Sequence, residues 1–441
     1  MRRNAQQCFR EIRRRQVLDG DEVPSSDERP RRLEKPLREA LSVFRAVVVT
    51  GPRQAGKTTL VRKVVGDAGT LVRLDRQPVL QAVLADPAAA ATQGAEPRAF
   101  DEVQRGGDAL VRAIKVVLDD NRTPGQFLLN GSADFLTAPM LTESLAGRAV
   151  FMEMWPFTQG EIGGHPDGFL ERAFSNPEEL LGAELSPLSP GDYLHRVCRG
   201  GFPEAVALPG RSRGVWFRNY VRSVTQRDIT ELTGARRAQH LPKILSLLAA
   251  RTANELVSAH IHDASGLGSR NTTDDYLSHI QMVYLAHTLP AWSRGLTAKI
   301  TRHPKVYIAD SGLAAHLLGK DPTSLARPTD PARGPLMETF VANELLRQAS
   351  WLDHDVRLHH FRDRDGGEID LIAEAADGRV VAVEVKAAQT VSTQDARRLT
   401  WLRNKIGSDF VCGAVLHTGE RSFRLNHDVY ALPISTLWLN P

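Results

Sequence analysis

The sequence predicts an α/β chain, with a parallel sheet near its N-terminus, helical regions after it and a second α/β unit at its C-terminus. Three observations carry this. A glycine-bounded loop, Gly51-Pro52-Arg53-Gln54-Ala55-Gly56-Lys57-Thr58, lies between the apolar run Ala46-Val47-Val48-Val49 and the helical run Leu60–Val65. Further strand-like runs, Leu71–Asp75 and Phe127-Leu128-Leu129, alternate with helical stretches. Near the C-terminus, two runs rich in alternating apolar residues, Glu368–Glu374 and Val380–Lys386, flank a short glycine turn.

The loop matches G-x-x-x-x-G-K-[ST] at every fixed position, and strand, loop and helix follow in the order the motif requires. Its backbone N–H groups and the helix N-terminus form a positively polarised nest for phosphate. Lys57 would reach the β- and γ-phosphates, and the Thr58 hydroxyl would ligate Mg²⁺. Gly51, Pro52, Arg53, Gln54, Ala55, Gly56, Lys57, Thr58 and the following Thr59 are the candidate nucleotide contacts. A chance glycine turn would not bring the motif and its setting together.

The chain has 441 residues, enough for two to four domains, with 42% hydrophobic and 24% charged residues and a net charge of +4. That mild basicity is compatible with nucleic acid. Cys8, Cys198 and Cys412 are widely scattered, with neither disulfide-framework nor zinc-site spacing. No apolar run approaches a membrane span, and the arginine-rich N-terminus lacks a signal-peptide core. A cytoplasmic protein without membrane contact is the expectation.

Residues 1–35, with Arg13-Arg14-Arg15 and Arg29-Pro30-Arg31-Arg32, read as a basic, partly disordered tail. Residues 36–160 hold the P-loop core. After the strand Leu71–Asp75 comes a helical piece, Val79–Ala91, and then Arg98-Ala99-Phe100-Asp101-Glu102. A triphosphate-cleaving site needs a carboxylate that holds Mg²⁺ through water, and often a second that orients the attacking water. Asp101 suits the first role and Glu102 the second, although Pro97 and Arg98 make a poor apolar lead-in and an Asp-Glu pair elsewhere marks a solvated helix start. Asp108–Leu118 is an amphipathic helix. Asn130 and Ser132 follow the strand Phe127–Leu129, at the strand end where ligands lie in open parallel sheets; simple turn chemistry is the competing explanation. Arg148 would offer positive charge to a transition state, in cis or to a neighbouring subunit, or is an ordinary surface arginine.

The runs G-P-R-Q-A-G-K-T-T-L, D-E-V-Q, N-G-S, L-A-G-R and W-P-F-T resemble a prokaryotic family of AAA-type ATPases with a C-terminal region of unknown function. Arg199–Glu204, Trp216–Tyr220, Arg227-Asp228-Ile229 and Lys305–Leu313 extend the resemblance, which covers roughly residues 40–390. It implies ATP and Mg²⁺ as cofactors and ATP hydrolysis as the activity. It also implies a helical lid over the nucleotide, placed at residues 161–235, where Arg227-Asp228 would serve the lid or a subunit contact. The family usually carries Thr or Ser where this chain has Asn130.

Residues 236–325 read as a winged-helix-like domain. Glu255-Leu256-Val257, the glycine turn Gly266–Arg270 and the amphipathic helix Thr273–Ile280 follow helix-turn-helix grammar. Val283–Ala286 and Lys305–Ile308 would be wing strands, with Lys299, Arg302, His303 and Lys305 decorating them. Such a unit reads DNA or contacts protein; Asp274 and Asp275 on the recognition helix would repel phosphate.

Residues 326–441 carry a second constellation. A helix opens at Pro335-Leu336-Met337-Glu338, and the hairpin follows. Asp370, a spacer, then Glu384-x-Lys386, with Glu338 upstream, resembles the PD-(D/E)XK, restriction-endonuclease-like nucleases. That resemblance implies that Asp370 and Glu384, with Glu338 as a further contact, hold Mg²⁺ while Lys386 helps activate water. Side-chain alternation chooses the hairpin register. A three-residue loop, Ala376-Asp377-Gly378, pairs Ile369 with Val385, Leu371 with Val383 and Ala373 with Val381. The same register sets Asp370 opposite Glu384 and Glu368 opposite Lys386, so packing and chemistry agree. A half-buried hairpin with a charged outer face is the plain alternative.

The expected function is ATP binding and hydrolysis by an AAA-type P-loop protein whose ATP state gates a nuclease-like C-terminal domain acting on DNA. The alternative is a non-nucleolytic, ATP-dependent regulatory or toxin–antitoxin-type switch. DNA, a protein partner and further copies of the chain are the candidate partners besides ATP.

Overall fold

The computed structural model describes residues 29–131, 145–182, 188–226, 240–293, 303–363 and 366–439. Ser132, Arg227, Asp228, Lys299 and Arg302 lie outside the described residues. The chain forms two compact units, divided between Trp155 and Pro156.

The first unit is built on a five-stranded sheet: β1 (Ala46–Thr50), β2 (Thr70–Arg73), β3 (Arg98–Asp101), β4 (Phe127–Asn130) and β5 (Ala149–Glu153), in the order β2-β3-β4-β1-β5. Every pairing is parallel. Central β1 is buried along its whole length, which explains its unbroken apolar sequence: a parallel sheet is covered on both faces. One face packs Val48, Phe100 and Phe127 against Leu110, Ile114 and Leu118 of the helix Gly107–Asp120. The other packs Val47 and Val49 against Leu37, Leu60 and Val64 from the helices Glu34–Val43 and Lys57–Val65. The register aligns Asp101 with Asn130 and Asn130 with Val49, so three adjacent strands end level with one another.

Two expectations need correction in this unit. The stretch 29–35 belongs to the folded unit: Leu33 is buried and a helix starts at Glu34. The helical piece Val79–Ala91 is two helices, Gln77–Ala85 and Pro87–Thr92, parted at Asp86, whose side chain caps the second by accepting from Ala89 N–H.

In the second unit, helices between Gln159 and Gln226 lead to the helix Leu241–Ala249. There follow β6 (Asn254–Glu255), helices Ser258–Ser265 and Arg270–Met282, β7 (Ala286–Leu289) and β8 (Lys305–Ile308). These strands form an antiparallel sheet ordered β6-β8-β7. β6 is too short to show periodicity. The expected strand Val283–Ala286 instead begins at Ala286, because the chain turns at Tyr284 in a left-handed conformation (φ 57°).

The helix Arg333–Ala349 precedes a six-stranded mixed sheet of β9 (Val356–Arg362), β10 (Glu368–Ala375), β11 (Val380–Lys386), β12 (Phe410–His417), β13 (Phe423–Asn426) and β14 (Val429–Pro433). Its order is β13-β14-β12-β11-β10-β9. The helix Arg397–Ile406 crosses between the parallel strands β11 and β12. β10 and β11 pair Leu371 with Val383 and Ala373 with Val381, the register that alternation selects. Against β9, β10 carries a bulge between Ile369 and Ile372, the place of Asp370. Bulges re-aim side chains beside functional sites. Beyond β7, Ala291 bridges in parallel to His360, and Trp292 N–H donates to the His360 carbonyl at 2.7 Å. Trp292 thereby enters the C-terminal core with Phe361, Ile369, Leu399 and Phe410.

Candidate functional site

The phosphate loop takes its shape from residues that tolerate unusual backbone. Gly51 has φ 136°, and a Cβ there would lie 2.1 Å from the Met154 carbonyl oxygen, so both conformation and space demand glycine. Gly56, at φ 97°, is the N-cap of the helix Lys57–Val65. Arg31 braces the loop from outside, donating to the Ala55 carbonyl at 3.2 Å. The buried Lys57 ammonium lies along its own loop, donating to the Gly51 and Pro52 carbonyls at 2.9 and 2.8 Å. Pro52 and Ala55 are buried, Arg53 is half-buried, and Gln54 and Thr59 are exposed.

The end of β4 and the first turn of the loop helix both reach Asp101, at the end of β3. Thr58 Oγ1 donates to Asp101 Oδ1 at 2.9 Å, and Asn130 Nδ2 donates to the same oxygen at 2.6 Å. Burial raises the Asp101 pKa, and the Thr58 hydrogen bond only partly opposes it. Asn130 Oδ1 is a buried acceptor with no partner among the described residues. A hydroxyl and a carboxylate in contact beside the phosphate nest are the donor set that suits Mg²⁺. Glu102 follows in a left-handed conformation (φ 57°), uncommon for a residue with a Cβ, and its Oε2 accepts from Gln104 Nε2 at 2.6 Å.

Arg148 lies away from the phosphate loop of its own chain. It immediately precedes β5, and Ala149 pairs with Ala46 at the start of β1, whereas the phosphate loop leaves the far end of β1 after Thr50. Arg148 holds Asp119 at the end of the helix Gly107–Asp120, with its Nη2 3.1 Å from Oδ2. In its own chain it stands at the edge of the sheet opposite the phosphate loop.

Comparison with known proteins agrees with this geometry: residues 43–163 match the AAA domain family. These residues form an AAA-type P-loop domain. Beyond the AAA domain, residues 191–324 and 333–437 match two domains of unknown function, DUF8612 and DUF4143. The uncharacterized protein Rv2008c of Mycobacterium tuberculosis is 29% identical over 399 residues, spanning 90% of this chain and 82% of that protein. An uncharacterized protein of Haemophilus influenzae is 22% identical over 325 residues, 71% of each chain. Among solved structures, the Walker-type ATPase PABY2304 of Pyrococcus abyssi aligns with TM-score 0.40 and 16% identity, over 66% of this chain and 99% of that one. Among the described residues no helix is long and apolar enough to cross a membrane.

The second constellation also comes together, with a member the sequence reading placed elsewhere. Lys305, expected on the surface of a wing, is fully buried. Its Nζ lies 2.8 Å from Glu338 Oε1, 2.6 Å from Glu368 Oε1 and 3.5 Å from Asp370 Oδ1. Tyr307 O–H donates to Glu338 Oε1 at 2.8 Å, and Val385 N–H donates to Asp370 Oδ2 at 2.8 Å. Glu384 pairs with Lys386 at 2.7 Å, and its second oxygen is buried without a partner among the described residues. Burial alone would lower the Lys305 pKa, but Glu338, Asp370 and Glu368 outweigh it and hold the ammonium charged. Burial, then the charge of Asp370, pushes Glu338 up to about 8 and Glu384 up to about 7.

The expected metal trio of Glu338, Asp370 and Glu384 is therefore divided between two lysines. Among the described residues no three His, Cys, Asp or Glu side chains are arranged to hold a metal ion. Lys305 reaches the cluster through the tertiary fold, arriving from β8, 33 residues before Glu338. His360 is buried and donates from Nε2 to the His303 carbonyl at 2.9 Å.

Proposed function

We propose that this chain binds and hydrolyses ATP with Mg²⁺ at the loop Gly51–Thr59, and that its nucleotide state governs a C-terminal half that contacts DNA. The convergence of Thr58 and Asn130 on Asp101, at the mouth of the phosphate loop, carries the first part. Bound Mg²⁺ supplies charge neutralisation at the phosphates, and Thr58 and Asp101 are the residues that would hold it. Lys57 leaves its loop carbonyls to neutralise phosphate oxygens. Glu102 orients the attacking water, and Asn130 uses its unpaired Oδ1 to position that water or sense the terminal phosphate. The test is turnover: a purified, folded Lys57→Ala variant should lose it, and normal turnover in that variant removes the assignment.

The DNA-facing part rests on architecture. The order helix–β6–helix–helix–β7–β8, with β8 between β6 and β7, supports a winged-helix reading of residues 236–325. A helix, three antiparallel strands, a crossover helix and a parallel strand support the restriction-endonuclease-like reading of residues 326–441. The helices between 161 and 235 suit a lid. DNA affinity that falls steeply with salt is the expected signature, and affinity indifferent to salt would count against it.

Between cleaving and merely binding, one observation favours the second reading, a non-nucleolytic ATP-dependent switch: the Lys305 ammonium stands among the carboxylates that cleavage would need for a metal. Incubation of plasmid DNA with the full chain, Mg²⁺ or Mn²⁺, and ATP should leave the DNA intact. Cleavage that disappears in an Asp370→Ala, Glu384→Ala variant would restore the nuclease reading.

A further inference from the structure

We infer that Lys305 takes the place of the divalent cation in the C-terminal carboxylate cluster, so that this cluster takes up neither Mg²⁺ nor Mn²⁺. The inference rests on the restriction-endonuclease-like reading above, and asks what that site has become in this chain.

Geometry is the first argument. Mg²⁺ gathers six oxygens at about 2.1 Å. Here Glu338 and Glu368 meet a nitrogen at 2.8 and 2.6 Å, the spacing of charge-assisted contacts to an ammonium, and Asp370 completes the ion cluster at 3.5 Å. An ammonium offers three donors and no acceptor, so each of these carboxylates finds a complementary partner in it. The remaining oxygens are partly committed: Glu338 Oε1 also accepts from Tyr307, and Asp370 Oδ2 from Val385 N–H. A divalent ion beside Nζ would meet like charge in a buried space where repulsion is poorly screened.

The second argument is that Lys305 is built in. β8 is the middle strand of its sheet, with Lys305 paired to Glu255 on one side and Leu289 on the other. His360 donates to the His303 carbonyl just ahead of it. The segment after β7 is stitched to β9 through Ala291, and Trp292 is buried in the C-terminal core. The lysine and the carboxylates thus sit on one continuous framework. Removing the ammonium would leave three close carboxylates with Arg362, 3.8 Å from Glu368 Oε2 at the rim, as the neighbouring cation, a condition that favours a divalent ion between Glu338 and Asp370.

The experiment is a Mn²⁺ titration of the nucleotide-free full chain, with free Mn²⁺ read by electron paramagnetic resonance. The wild-type and Asp370→Asn proteins should bind Mn²⁺ identically, which separates this cluster from any uptake at the phosphate loop. Lys305→Met should gain one site, at least about tenfold tighter than any wild-type uptake, and lose it again in Lys305→Met, Asp370→Asn. Wild-type binding that Asp370→Asn removes overturns the inference, and so does a Lys305→Met protein with a wild-type melting profile that gains no site. Should Lys305→Met fail to fold, the wild-type and Asp370→Asn comparison decides alone. Metal uptake by Lys305→Met with no DNA cleavage or binding would keep the inference and remove the nuclease reading. Asp370-dependent cleavage by the wild type would do the reverse.

Discussion

Thr58 Oγ1 and Asp101 Oδ1 are 2.9 Å apart, joining the first turn of the loop helix to the end of β3. A cation that binds both must draw on a carboxylate, not merely on a polar oxygen. Asp101→Asn keeps the shape but removes the charge. Steady-state kinetics with Mg-ATP should show kcat reduced by at least about 100-fold. An Asp101→Asn protein with undiminished kcat would deny Asp101 its role.

Gly51 cannot become alanine without cost, because the added Cβ would meet the Met154 carbonyl and hold a left-handed backbone. Strain of this kind is worth about 1–3 kcal/mol. Gly51→Ala should melt at lower temperature and bind a fluorescent ATP analogue at least about tenfold more weakly. Calorimetry and a binding titration check the two halves separately.

Arg148 gives a contrasting expectation. At the sheet edge remote from the loop, Arg148→Ala should leave nucleotide affinity and dilute-solution turnover unchanged. If turnover instead falls, and does so only at concentrations where the protein self-associates, Arg148 serves a neighbouring copy's nucleotide.

Burial pushes His287 and His360 from 6.5 down to about 4, and the charges of Arg347 and Lys305 act in the same direction. Between those values the unfolded chain takes up protons that the native imidazoles refuse. Their contribution to stability is complete above pH 6.5 and is lost as pH falls toward 4, by on the order of 3 kcal/mol each. Glu338, Glu344 and Glu384, raised to about 8, 8 and 7, titrate in the opposite sense, losing stability as pH rises. The comparison must therefore be between proteins. The change in urea midpoint from pH 7 to pH 5 should be less unfavourable for His360→Gln than for the wild type, and equal changes would refute the assignment.

How much of this could be read from the chain depended on the distance over which each feature is defined. The phosphate loop is set by glycines and a lysine within eight residues, and a fixed spacing has one structural meaning. The β10–β11 register was equally legible, since slipping it by one residue would break the match of Leu371 with Val383 and of Ala373 with Val381. Asp101 was singled out by its place after the loop, despite a strand of only four residues. The bulge at Asp370 depends on pairing with β9, whose alternation is blurred by Arg357, His359 and His360. Lys305 was beyond local reasoning altogether: its neighbours suggest a basic wing, and only the tertiary fold supplies Glu338, Glu368 and Asp370. Arg148 offers the opposite lesson, because a residue ahead of a parallel strand lies at its amino end, and that much was present in the sequence.

The stitch from Pro290 to Trp292 along β9 bears on how this protein can be taken apart. The two regions at 191–324 and 333–437 are separate as inherited sequence blocks but share one interior. A fragment starting at 333 would bare the outer edge of β9, open a tryptophan-sized hollow in its core and leave Glu338, Glu368 and Asp370 without Lys305. Such a fragment should be recovered as aggregate or not at all, whereas one beginning at Pro156 keeps the interior whole. The natural place to cut this chain is between Trp155 and Pro156, not between its two domains of unknown function.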